Sequence, residues 1–505
     1  MSAGTDTILP VEHVGTVIVG AGFAGLGMGI RLARRGERSF VILERAEQVG
    51  GTWRDNRYPG VACDIPAQLY SYSFRPSAEW SASFAPGAEI QQYLRTAAAE
   101  EGLAAHLRFG TELQDAAWDA DAARWRLLTS GGRLTADVLV LACGRLTEPR
   151  IPDVPGLADF RGDVFHSARW RDDVPLAERR VAVVGSGASA VQLVPHVAAV
   201  ADHLVVLQRS APYLVPRGTR PVSAAERALL RRDPEEAPRR RADQFWRLEE
   251  GFASRTGDAT GRAAAREVAL GHLRAQVADP SLRTRLTPEY EIGCKRVLLS
   301  DDYYPALQSP SVTLVPSAIA AVDATAVTAA DGSRHEVDVI VLATGFRAAH
   351  QPYARFVRGI DGVSLAEHWR DGMTSFASTT VAGFPNLFVL DGPNGGLGHN
   401  SAVFMIETQI EYVLAALAHR AAVGSPVLSL RPDAEAAYTA ALDSSAAATV
   451  WTTGGCTSWY LEPGNGRLTL LWPDFAHTFR DRFGDFDPEP YEAARSPWPA
   501  PVAVR

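Results

Sequence analysis

One pattern occurs twice along the chain. "TVIVGAGFAGLGMGIRLARRGERSFVILE" spans Thr16–Glu44, and "RVAVVGSGASAVQLVP" followed by "HLVVLQRS" covers Arg180–Pro195 and His203–Ser210. Each copy opens on a short apolar run, turns through glycines into a helical stretch, and ends on a second apolar run. Apolar runs this short, without polar alternation, read as strands buried on both faces, as in a parallel sheet covered by helices. Two such units in 505 residues predict an α/β fold with two Rossmann-like dinucleotide-binding domains. A period this long is not that of a solenoid.

The glycine spacing says what the turns hold. In the first unit Gly20 permits the tight turn, Gly22 lets backbone approach a pyrophosphate, and Gly25 lets the helix pack close to the strand. The helix N-terminus then faces the phosphates. The second unit carries Gly185, Gly187 and Ala190, and alanine at the third position still allows close packing. Glu44 and Arg209 each stand 24 residues beyond the first glycine of their unit. A carboxylate there accepts hydrogen bonds from a ribose diol and repels a 2′-phosphate, whereas a guanidinium binds that phosphate. The first site is therefore expected to take FAD and the second NADPH. Ser189, Gln192 and Ser210 are candidate contacts in the second site.

The repeat extends further. "WRLLTSGGRLTADVLVLACGR" and "AVTAADGSRHEVDVIVLATGF" each read as a hairpin followed by a strand returning to the main sheet. The resulting organisation is an FAD-binding domain at 1–145, a linker and NADP-binding domain at 146–217, and a helical insertion at 218–299. The NADP domain resumes over 300–380, and the FAD domain over 381–505. The insertion is rich in Arg and Glu and reads as mostly solvated faces.

Composition excludes several classes. The formal net charge of −8 gives nonspecific nucleic-acid binding no support. Cys63, Cys143, Cys294 and Cys456 are scattered, with no CxxC or metal-ligand spacing, so neither a disulfide scaffold nor a metal site is expected. That usage suits a reducing compartment. With no signal-peptide pattern and no long uncharged apolar run, a cytoplasmic protein without membrane contact is predicted. Oligomeric state is left open.

"NRYPGVACDIPAQLYSYSF" (Asn56–Phe74) is broken by Pro and Gly, yet it carries four large aromatics and a lone acid, Asp64. Loops that hold such residues usually line a site.

Between the two units lies "FRGDVFHSARW", with Phe160, Gly162, His166 and Trp170. This resembles the FxGxxxHxxxW fingerprint of type I Baeyer–Villiger monooxygenases, class B flavin-dependent enzymes. The resemblance covers nearly the whole chain and includes "GGTW" (Gly50–Trp53), "GCKRVLLSDDYYPAL" (Gly293–Leu307), "GPNGGLGHNS" (Gly392–Ser401) and "SWYLEPGNGRLTLLWP" (Ser458–Pro473). It implies that Gly51, Thr52, Trp53 and Tyr70 contact FAD, and that Asp64 sits beside the flavin. It also implies that Lys295 binds the NADP 2′-phosphate with Arg209, that Arg296 is the catalytic cation, and that Trp459 lies on a loop closing on the cofactor. The implied reaction inserts one atom of O2 beside a ketone carbonyl through a C4a-peroxyflavin, giving an ester or lactone. Asp64–Arg296 is the expected catalytic pair, since a buried guanidinium needs a compensating carboxylate. His166 is expected to orient the linker between the units, with catalytic base as the lesser reading. The loops around 64–72, 395–405 and 451–459 suggest an apolar substrate. Two alternatives stay open: oxygenation of sulfur or nitrogen, and an NADPH oxidase without organic substrate. A disulfide reductase is disfavoured, because no CxxxxC pair exists.

Overall fold

The computed structural model describes residues 11–493, so expectations about the N-terminal ten residues fall outside the described part. The first unit forms an eight-stranded sheet. Glu12–Val19 runs parallel to Phe40–Leu43 on one side and to Gly132–Leu141 on the other. Phe40–Leu43 is buried throughout, as expected of a strand covered on both faces. The helix Phe23–Arg34 covers one face, and Ala402–Ala422 packs beside it.

Leu113–Asp119, Arg124–Thr129 and Gly132–Leu141 form an antiparallel meander whose last strand enters the main sheet. The expected hairpin-and-return is therefore present. Leu387–Val389 adds alongside Gly132–Leu141, so the chain does come back to the first unit. It comes back earlier than residue 381, however. Val357–Arg358 already pairs with Ala116–Ala117 of the first sheet. Two residues of edge pairing leave no periodicity that sequence could reveal.

The second sheet is parallel and five-stranded, in the order Val312–Val315, His203–Leu207, Arg180–Val184, Val339–Leu342 and Asp163–His166. Its fifth strand belongs to the fingerprint. A Cβ on Gly162 would lie 2.2 Å from the Asp338 carbonyl, so glycine lets this strand meet its neighbour. The fingerprint is thus an edge of the second domain as well as a connection between domains.

The insertion is more than solvated surface. Phe245 and Glu249 are buried, and Glu249 accepts hydrogen bonds from His399, Asn400 and His477 at 2.9, 2.7 and 2.8 Å. Arg241 pairs with Glu407 and donates to the carbonyls of Leu69 and Ser71. The insertion therefore clamps the aromatic loop to the first unit. Charge-rich helices usually face water. Here the charges are compensated across the fold by residues far away in sequence. Among the described residues no helix is long and apolar enough to cross a membrane.

Candidate active site

The glycine turns adopt the shapes their spacing requires. Gly20 and Gly185 have φ of 107° and 127°, in the region that favours glycine. A Cβ on Gly25 would stand 1.8 Å from the Gly20 carbonyl, so in this unit glycine is what lets the helix pack so close to the turn. In contrast, a Cβ on Gly187 meets nothing within 4 Å, and one on Gly22 meets only Gly51 Cα, at 3.8 Å. Each turn thus opens onto space at a helix N-terminus, the arrangement that accepts a pyrophosphate. The residues fit the dinucleotides expected of them.

Glu44 is 4% exposed. It accepts from the amides of Ala21 and Ala46 at 3.0 and 2.9 Å and pairs with Arg54 at 2.9 Å. A carboxylate offers about four acceptor positions, so capacity remains for a ribose hydroxyl. Arg54 was not singled out from the sequence. Its partner lies on another strand end, and nothing in "GGTWRD" signals the pairing. Thr52 and Trp53 occupy the short helix Thr52–Asp55 directly after Gly51. Trp53 donates to the Tyr70 hydroxyl at 3.3 Å, and Tyr70 packs edge-on to Phe23. The aromatic loop is therefore anchored on the helix that follows the first glycine turn.

At the second turn, Lys295 donates to the Ser210 hydroxyl at 2.8 Å, and Ser186 donates to the Ser210 carbonyl at 2.7 Å. Burial, and then the charge of Arg209, hold the Lys295 ammonium below its ordinary value. Among the described residues neither cation has a carboxylate partner. Two neighbouring cations without carboxylate partners suit an anion. Ser189 follows Gly187 on the helix Ala188–Ala198. Gln192 on that helix accepts from the Tyr58 hydroxyl at 2.9 Å and donates to the Ala62 carbonyl at 2.9 Å. It bridges the second unit to the aromatic loop of the first.

Asp64 and Arg296 form an ion pair. Arg296 Nε donates to Asp64 Oδ2 at 2.6 Å, and the two side chains are 25% and 24% exposed. Burial opposes both charges. The pairing more than offsets it, so the carboxyl lies below and the guanidinium above its ordinary value. Arg217, not anticipated from sequence, donates to the Cys63 carbonyl at 2.8 Å and adds positive charge beside Asp64. Trp459 is 43% exposed, whereas its neighbour Tyr460 is 2% exposed. The structure thus turns Tyr460 inward and leaves Trp459 outward, its ring tilted against Tyr460 at 4.5 Å.

His166 accepts from the Ala168 amide at 3.1 Å through Nδ1 and caps the turn Ser167–Arg169. Burial pushes its imidazole down to about 4. A neutral, capping histidine has a positioning geometry, and Trp170 packs edge-on to Phe165 beside it. Asp391, whose role was open, pairs with Arg145, which also donates to the Leu470 carbonyl at 3.0 Å.

One expectation is overturned. Cys294 and Cys456 are joined by a disulfide across 162 residues, while Cys63 and Cys143 are unpaired. No local spacing could signal a pair set by the fold, and the argument for a reducing compartment falls with it. The pair is not the closely spaced dithiol of a disulfide reductase. No metal-holding cluster of His, Cys, Asp or Glu occurs among the described residues.

The family model described as pyridine nucleotide-disulphide oxidoreductase matches residues 17–222, which span both glycine turns. A Baeyer–Villiger monooxygenase of Streptomyces coelicolor is 44% identical over 495 residues, covering 98% of this chain and 94% of its own. The chain belongs to the Baeyer–Villiger monooxygenases. A second such enzyme, from Pseudomonas aeruginosa, is 40% identical over 96% of this chain and 92% of its own. Among solved structures, closed cyclohexanone monooxygenase superposes with a TM-score of 0.87 at 28% identity, covering 96% of this chain and 100% of that one. Steroid monooxygenase bound to NADP gives 0.82 at 31% identity, covering 93% and 97%. The chain is thus an NADPH-dependent flavoprotein monooxygenase with FAD and NADP Rossmann domains.

Proposed function

We propose that this Baeyer–Villiger monooxygenase converts an apolar ketone to an ester or lactone at a centre governed by Asp64 and Arg296. The observation that carries the reading is their 2.6 Å pairing across 232 residues of sequence. FAD, when bound and reduced by NADPH, would activate O2 and so supply the oxygen atom.

The side chains act around that oxygen. Arg296 keeps its charge at any working pH, and its Nε is committed to Asp64. Its Nη groups make no hydrogen bond among the described residues, so they can donate to an anionic oxygen as charge develops at the reacting carbon. Asp64 aims the guanidinium and compensates it when water is excluded. Arg209 and Lys295 bind the 2′-phosphate, and Glu44 receives the FAD ribose. Trp53 and Tyr70 flank the flavin. Tyr460, buried near Arg296, contributes a wall to the substrate cavity.

Residues 11–145 together with the chain beyond about 350 make up the FAD unit. The five-stranded sheet forms the NADP unit. The test is oxygen uptake with NADPH, with and without a panel of ketones, followed by chromatography of products. Esters or lactones support the reading. Uptake without organic product, or oxygenation of thioethers alone, refutes it.

A further inference from the structure

Leu214–Val215 and Leu298–Leu299 pair in parallel as a small two-stranded ribbon of their own. Arg217 stands two residues beyond the first strand, and Arg296 two residues before the second. The two arginines therefore leave this ribbon at opposite ends, yet both reach one point in the aromatic loop. Arg296 Nε donates to the Asp64 carboxylate at 2.6 Å. Arg217 Nη2 donates at 2.8 Å to the Cys63 carbonyl, in the peptide that immediately precedes Asp64.

Arg217 is itself firmly placed. Its amide and that of Gly218 donate to the two carboxylate oxygens of Asp301 at 3.0 and 2.9 Å. Its Nε donates to the Thr219 hydroxyl at 3.0 Å, and its guanidinium lies 5.5 Å from the centre of the Phe84 ring. Beyond it the chain is tied to the first unit, since the Ser83 amide donates to the Arg220 carbonyl at 2.9 Å and the Val222 amide to the Ser81 carbonyl at 2.8 Å. Asp64, in contrast, lies in a bend outside helix and strand. Among the described residues no backbone amide donates to the Cys63 carbonyl. The bond from Arg217 is what holds it.

A carboxylate is aimed by the backbone that carries it as well as by its partner. We propose that Arg217 is a positioning residue for the oxygenation: by pinning the Cys63 carbonyl it fixes the backbone from which Asp64 aims Arg296. This rests on the ketone-oxygenating reading above. A guanidinium on a carbonyl is a charge-assisted bond. Because Arg217 donates to the peptide and not to the carboxylate, it leaves the Asp64 oxygens to Arg296. Without it the Cys63–Asp64 peptide can rotate, and Asp64 then holds Arg296 in more than one direction. A cation aimed away from the oxygen on which charge develops stabilises that charge less. Oxygen then leaves as hydrogen peroxide instead of entering the ketone.

The test is the ratio of ester or lactone to hydrogen peroxide on one accepted ketone, for Arg217→Gln and Arg217→Lys, each made in the wild type and in Asp64→Ala. Flavin content, NADPH KM and Tm are measured alongside. Arg217→Gln should lower the ratio about two- to tenfold, the worth of one hydrogen bond, with flavin content and NADPH KM unchanged. Arg217→Lys should fall in between, since one ammonium cannot reproduce the planar fork that bonds both Cys63 and Thr219. In the Asp64→Ala background neither substitution should lower the ratio further, because the group that Arg217 acts through is gone. The same fold loss in both backgrounds would overturn the inference. So would a lowered Tm with the ratio unchanged, which would leave Arg217 a purely structural contact, and so would a raised NADPH KM with the ratio unchanged, which would assign it to the cofactor. Should Arg217→Gln fail to fold, Arg217→Lys decides alone, and a wild-type ratio there overturns the inference. If the wild type itself oxygenates no ketone, the reading above fails and this inference with it.

Discussion

Asp64 and Arg296 stand 232 residues apart in sequence and 2.6 Å apart in the fold. One comes from the aromatic loop of the first unit, and the other from the last stretch of the insertion, beyond its helices. Neither unit alone contains both. The insertion holds the loop through Arg241, and Gln192 ties the loop to the second unit. The pair therefore depends on how the two nucleotide domains meet.

Cofactor choice is expected to rest on the unpaired cations at the second turn. Arg209→Ala and Lys295→Ala should each raise the NADPH KM about ten- to a hundredfold, from loss of a charge-assisted contact worth about 1.5–3 kcal/mol. The NADH KM should change little. Steady-state kinetics with both cofactors checks this, and equal losses with both would move the phosphate site elsewhere.

FAD retention is expected to depend on the open space beside Gly22. That residue has an ordinary φ of −88°, so valine is conformationally acceptable there, yet its side chain would enter the pyrophosphate space. Gly22→Val should fold and lose the yellow colour. The ratio of flavin to protein absorbance, measured after reconstitution with excess FAD, is the check.

The two nucleotide units were legible because their signals are local: glycine spacing, apolar runs, and the charge that ends each second strand. Arg296 and Lys295 were suggested only through resemblance, since no spacing relates residues so far apart, and Asp64 was otherwise marked only as the lone acid of an aromatic loop. What escaped was compensation at a distance. Arg54 beside Glu44, Arg241 beside Glu407, and Cys294 bonded to Cys456 are pairs made by folding. Each looks like an isolated surface charge or a stray thiol until the chain is closed. The edge strand Val357–Arg358 escaped for a related reason, being too short to carry a period.

Glu249 should make the docking of the insertion sensitive to acid. Burial raises its carboxyl, but hydrogen bonds from His399, His477 and Asn400 bring it down to about 2. A carboxyl whose folded value is depressed from 4.5 to about 2 contributes stability above pH 4.5, on the order of 3 kcal/mol. That contribution is lost as pH falls toward 2. The difference in Tm between wild type and Glu249→Gln should therefore be full at neutral pH and narrow steadily below pH 4.5. A constant difference would contradict it.

The cystine has a simple consequence. In denaturant without reductant, two of the four cysteines should be alkylated, Cys63 and Cys143. Peptide mapping should return a cross-linked fragment containing Cys294 and Cys456. Four alkylated thiols in freshly purified protein would contradict the pairing.

The most direct test of the account is product formed per NADPH consumed, on one accepted ketone, for wild type, Asp64→Ala and Arg296→Ala. Loss of one stabilising donor at an oxyanion costs about 2.7–4 kcal/mol, a factor of roughly a hundred to a thousand. Arg296→Ala should therefore keep its FAD and NADPH, consume oxygen, and release hydrogen peroxide with almost no ester or lactone. Asp64→Ala should fall between, because the guanidinium is present but poorly aimed. Ester formation by Arg296→Ala with wild-type coupling would show that the catalytic cation lies elsewhere.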